Sequence, residues 1–161
     1  MYQGFSLKRW LTTTNHKDIG ILYLLTSLYF LIVAGTVAML VRGQLTVPAG
    51  TILTQYKYDQ AVTLHGLIMI LWFLSPLGVA FANYFVPLQI GAKDLAFPRM
   101  NALSYWLYLF SGLILVGTVF LPGGAPNVGW TIYAPLSTSS FTPQPGMTLG
   151  ALALAMLAAS V

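Results

Sequence analysis

The chain is predicted to be an all-α polytopic membrane protein, and three observations carry that prediction. Charged residues make up only 6% of its 161 residues, against roughly 25% in a soluble domain, so a water-facing surface cannot be dressed. Hydrophobic residues reach 57%. They gather into runs long enough to cross about 30 Å of hydrocarbon, separated by turns that hold nearly all the charge. Cysteine is absent, which removes disulfides, thiolate catalysis and Cys-ligated metals and leaves His, Met and backbone as ligands.

The elements follow in order. Residues 1–18 form a polar to amphipathic inner segment carrying Lys8, Arg9 and Lys17. It has no short apolar core with a small-residue cleavage site, so the first span is expected to direct insertion itself. The first span is expected over about 19–41, free of charge and closed by Arg42. A loop with Pro48, Gly50, Tyr56, Lys57, Tyr58 and Asp59 leads to a second span over about 61–86. Pro76 and Gly78 should kink that span. A turn with Lys93, Asp94 and Arg99 precedes a third span over about 101–121. Residues 122–146 form a long uncharged loop, and a fourth apolar run, 147–161, is incomplete. Its fifteen residues reach only about 22 Å, so the chain is expected to be the N-terminal portion of a larger protein, with 19–161 as the transmembrane core. With the N-terminus inside, five of the seven Lys and Arg lie inside and two, Arg42 and Lys57, outside, as positive-inside topology requires.

Two residues stand out chemically. His65, in TLHGLIM, then lies about one turn below the outer surface, and an ionisable group there asks for a reason. It is either a neutral imidazole hydrogen-bonded to another helix or an axial metal ligand. Gly66 leaves room for a flat macrocycle, and Met69, Trp72, Phe73 and Pro76 make an apolar stripe that serves either helix packing or a cofactor wall. His16 lies before the first span, at the wrong depth to be a second ligand. Asp94, at the inner end, is either a turn residue capping a helix or paired with Lys93 or Arg99, or a proton-collecting carboxylate at the mouth of a wet path. Asn83 and Asn101 near it offer amides that hold water. Arg42 sits against the inside bias, which hints at an anionic or carbonyl partner; Trp130 and Tyr133 suit an interface. No Walker loop, Ser-His-Asp set, zinc spacing or basic stripe for nucleic acid is present.

RWLTTTNHKDIGILYL, VRGQL, YDQAVTLHGLIMI, NYFVPLQIGAKDLAFPRMNALSYW and GWTIYAPL, taken in order, resemble subunit I of the haem–copper respiratory oxidases, the cytochrome c and quinol oxidases. The resemblance covers most of residues 9–136. It implies helices 1 to 3 and the start of helix 4 of a twelve-helix-type core. It implies that His65 is an axial ligand of a low-spin haem, haem a or a b-type haem. By the same resemblance Arg42 bonds that haem's ring substituent, Tyr58 lies near it, and Trp130 stands beside its propionates. Asp94 would be the entrance of a proton pathway, with Asn83 and Asn101 ordering its water.

A high-spin haem, copper and the second low-spin ligand are expected from the rest of the subunit. The implied activity is oxygen reduction to water with proton pumping, in a complex with subunits II and III, fed by cytochrome c or a quinol. The expected location is a prokaryotic plasma membrane rather than the mitochondrial inner membrane, in contact with lipid. The alternatives are a haem-free proton or ion transporter and a nitric oxide reductase-like member. The chain departs from the family pattern at four places. Lys93 replaces a frequent Pro and favours the ionised form of Asp94. Ala102 replaces a second Asn. Gln44 stands where many members have Glu, and the fourth run lacks a histidine often seen there.

Overall fold

The computed structural model describes residues 7–46, 48, 50–142 and 144–160. Residues 1–6 of the expected inner segment and residue 161 of the fourth run lie outside them. The described residues form helices and turns with no strand: α1 (Leu7–Thr12), α2 (His16–Gln44), α3 (Gln55–Leu67), a π-helical stretch (Ile68–Leu74), α4 (Ser75–Gln89), α5 (Pro98–Gly117), a 3₁₀ turn (Thr118–Phe120) and α6 (Gln144–Ala159). Three continuous helices, His16–Gln44, Gln55–Gln89 and Pro98–Phe120, are long and apolar enough to cross a membrane.

The helices extend past the apolar runs because polar caps start them. Asn15 Oδ1 accepts from the Lys17 amide at 2.9 Å, satisfying an otherwise orphaned donor at the start of α2. Asp18 sits in the same first turn, where the helix dipole favours a negative charge. Arg9 binds it with Nη2 at 2.7 Å and Nε at 3.3 Å, and Thr13 Oγ1 donates to it at 2.9 Å. Thr54 plays the capping part for α3, accepting from the Lys57 amide at 3.3 Å.

The α3–α4 rod runs antiparallel to α2. At one end Gly20 meets Ala80 and Tyr84, the carbonyl of Ala80 lying 3.1 Å from where a Cβ would stand. Further along, Ala34 faces His65. α5 joins the pair through Tyr23–Ser104 (2.6 Å) and Thr26–Tyr105 (3.0 Å) hydroxyl bonds, and α6 packs on α5. The core is aromatic at its centre. Tyr23 stacks on Tyr108 with ring centroids 5.1 Å apart, and Phe30 meets Tyr108 edge-on at 5.9 Å. Apolar side chains also face outward, among them Leu25, Ile32, Met39, Leu74 and Leu103. That exterior suits hydrocarbon or further helices.

Proline 76 acts otherwise than as a simple kink. Its nitrogen has no proton for the Trp72 carbonyl four residues back. The preceding turns widen, so that the Ser75 amide reaches Ile70 O, a π-type step. The freed Trp72 carbonyl accepts the Tyr108 hydroxyl at 2.8 Å, and the Trp72 indole donates to Ser111 Oγ at 3.0 Å. The stripe of Met69, Trp72, Phe73 and Pro76 is therefore helix packing at its centre, with Trp72 and Pro76 buried.

Candidate functional site

His65 lies half-buried on α3, and its Nδ1 is 3.1 Å from the Ala34 carbonyl. A carbonyl only accepts, so Nδ1 carries a proton, and in the neutral form of the ring the lone pair is then on Nε2. This is the arrangement by which a backbone carbonyl orients a metal-bound histidine. The hydrogen-bonded reading of His65 is seen directly, the ring being tied to a neighbouring helix, and this geometry is compatible with a ligand role for Nε2. Ala34 is eight residues from Arg42, about 12 Å along α2, so His65 lies more than two helical turns inside that end of α2.

Gly66 does not open the space expected for a macrocycle. Trp130 fills it, its Cβ lying 3.1 Å from where a Gly66 Cβ would stand. Trp130 itself stays 52% exposed. Arg42 is exposed at the end of α2. Tyr58, half-buried, lines a cavity of about 730 Å³ with Gln44, Gln55 and Thr46. Gln44 ties this loop by accepting from the Leu53 amide at 2.8 Å and donating to the Gly50 carbonyl. Tyr133 is exposed.

At the opposite end, about 27 Å from Ala34 along α2, His16 opens the helix and is only 1% exposed. It is therefore part of the bundle rather than of a polar segment before it. Its Nδ1 donates to the Asn83 carbonyl at 2.8 Å. The Asn83 side chain donates to Val79 O at 3.1 Å, so it is turned toward its own helix and away from the Asp94 turn. Asp94 Oδ1 accepts the Leu95 amide at 2.8 Å. It forms no ion pair with Lys93 or Arg99 among the described residues, and the α5 cap position belongs to Phe97.

Leu95 and Ala96, the residues that follow Asp94 in the chain, line a cavity of about 420 Å³ together with Asn101, Ser104 and Ser160; Asp94 itself is not part of the lining. The Asn101 Nδ2 is buried with no partner among the described residues, a donor that calls for water. Ser160 also lines a second cavity of about 220 Å³ with Tyr23, Ser75 and Tyr108. The Tyr23–Ser104 bond spans the two. Tyr23, Ser104 and Ser160 were not singled out by sequence; the available signal was Asn101 and Ser104 one helical turn apart. Among the described residues no three His, Asp or Glu side chains gather as an ion site.

The family model described as Cytochrome C and Quinol oxidase polypeptide I matches residues 18–161. A protein of Aeropyrum pernix named heme-copper oxidase subunit I+III is 60% identical over 153 residues, 95% of this chain and 19% of that protein. A putative cytochrome c oxidase subunit 1-beta of Streptomyces coelicolor is 51% identical over 94% of this chain and 26% of its own length. Cytochrome c oxidase subunit 1 of Corynebacterium efficiens is 43% identical over 84% of this chain and 24% of its own length. The chain therefore spans about a fifth to a quarter of the length of these relatives. With three membrane-length apolar helices, it is an integral membrane protein.

Proposed function

This chain belongs to the cytochrome c and quinol oxidase polypeptide I family, and from that premise we propose that it contributes half of an electron-transfer haem site and a proton-uptake route to a terminal oxidase. The whole protein reduces oxygen to water and pumps protons. The observation that carries this reading is the Nδ1–H bond of His65 to Ala34 O, which holds Nε2 ready as an axial ligand. When bound, a low-spin haem supplies one-electron transfer. Around it this chain orients the His65 ring, covers the Gly66 side with Trp130, and offers Arg42 and Tyr58 nearer the outer end. Haem a is the group proposed, with a b-type haem as the alternative. The second axial ligand, the high-spin haem and copper belong to the remainder of the subunit.

Protons are collected at Asp94. They pass by water in the Asn101 cavity to Ser104 and Tyr23, and on toward the cavity shared with Ser160 and Tyr108. The orphaned Asn101 amide and the bridging hydroxyl pair support that route. Asn83 stands at one remove from this route: its main-chain carbonyl holds His16 against α4, while its amide bonds the Val79 carbonyl. Subunits II and III, a cytochrome c or quinol donor, oxygen and membrane lipid are the partners. The location is a prokaryotic plasma membrane with the N-terminus inside, supported by the prokaryotic sources of the three relatives and by the charge bias. The test is the reduced-minus-oxidised spectrum of the full-length protein purified in detergent. A low-spin haem band is expected; a full-length protein that is folded and colourless would refute the proposal.

A further inference from the structure

The loop from Leu121 to Thr142 carries no charged side chain, so ion pairs cannot anchor it. Two buried polar residues of α3 do so instead. Gln60 Nε2 donates to the carbonyls of Gly123 and Ala125, each at 2.6 Å. Thr63 Oγ1 gives its only proton to Asp59 O at 2.8 Å, and its lone pair accepts the Gly129 amide at 2.9 Å. Gly123, Gly124 and Gly129 all have positive φ, 87°, 78° and 78°, which lets the loop turn its carbonyls and amide onto α3. At Gly124 a Cβ would lie 2.8 Å from the Gln60 amide.

Gln60, Thr63 and Gly66 follow at three-residue steps and share one helix face. The residue after Gly129 is Trp130, which rests on Gly66 beside His65. We propose that Gln60 and Thr63 are positioning residues for Trp130: they hold the outer loop so that the indole rests on Gly66, next in the chain to His65, and limits the access of water to that end of the site. This rests on the reading of His65 as a haem ligand. Loosening the cover admits water, which favours the more highly charged oxidised iron, since burial and dielectric set haem potential.

The test uses the full-length enzyme with Thr63→Val, which keeps the shape and removes the hydroxyl, and Thr63→Ser, which restores it. Three quantities are read: bound low-spin haem, its midpoint potential, and hydrogen exchange at the Gly129 amide. Thr63→Val is expected to retain haem, to speed Gly129 exchange about tenfold, and to shift the reduced-to-oxidised ratio about tenfold toward oxidised, about 59 mV for one electron. Thr63→Ser is expected to restore both values. In a Trp130→Phe background the same Thr63→Val change is expected to shift the potential no further, because the two act through one contact. Should Thr63→Val fail to assemble, Gln60→Met is read the same way. Faster Gly129 exchange with an unchanged potential, or an equal shift without Trp130, overturns the positioning role. A wild-type enzyme without low-spin haem overturns the functional reading itself, a different and separately visible result.

Discussion

Gly112→Ala tests the packing that joins the three spans. A Cβ at Gly112 would lie 2.7 Å from Trp72 Cδ1 and 2.8 Å from Phe30 Cε1, and nearer still to Phe30 Cζ. Ordinary carbon contacts are about 3.5–4.0 Å, so the methyl arrives roughly 1 Å too close to two rings at once. Both rings are 0% exposed and neither can swing outward. Trp72 is tied to Ser111 and Phe30 lies edge-on to Tyr108. Overpacking costs about 1–3 kcal/mol, and a Trp72 that retreats gives up its indole bond, worth about 1 kcal/mol net. The expected loss is therefore about 2–4 kcal/mol. Denaturant titration of the detergent-solubilised full-length chain reads it, with Gly35→Ala and Gly78→Ala as references. Nothing lies within 4 Å of a Cβ at either, so both should be neutral or stabilising by under about 1 kcal/mol. A Gly112→Ala protein as stable as these references would refute the packing argument.

Three further outcomes are expected. Tyr108→Phe leaves the buried Trp72 carbonyl unbonded and should destabilise the chain by about 1–3 kcal/mol in the same titration. Gly66→Ala meets Trp130 Cβ at 3.1 Å, an atom carried by the loop backbone, so the anchored loop itself must shift. Stability should fall by about 1–3 kcal/mol, and the low-spin haem band should shift; an unshifted band would separate Trp130 from the haem. Asp94→Asn should cut oxygen turnover by an order of magnitude or more with an unchanged haem spectrum, measured by oxygen uptake in the assembled enzyme. Full turnover would remove Asp94 from the proton route.

The number of spans and their order were legible because long apolar runs have few alternatives in a chain this poor in charge. Their ends were not. α2 starts at His16 and α3 at Gln55, turns whose polar residues are kept helical by Asn15 and Thr54, which hydropathy does not register. Pro76 announced a disturbance. That the Trp72 carbonyl it frees is taken up by Tyr108, 36 residues away, no local pattern reveals. His65 and Asp94 were visible as ionisable residues at the ends of an apolar run. The Ala34 carbonyl, the Trp130 contact and the Tyr23–Ser104 bridge arise only when distant helices pack. Gly66 was misread for that reason: a missing Cβ signals a close approach without naming what approaches. Arg9, counted in the sequence only as an inner-side charge, is held by Asp18, a pairing across two helices.

The most direct measurement is the low-temperature paramagnetic and optical spectrum of the full-length enzyme carrying His65→Met or His65→Ala. If iron is held by this imidazole, the low-spin signal is lost or altered while the protein remains inserted and its α2–α3 packing persists. A low-spin spectrum identical to wild type, with oxygen consumption intact, would contradict the account at its centre.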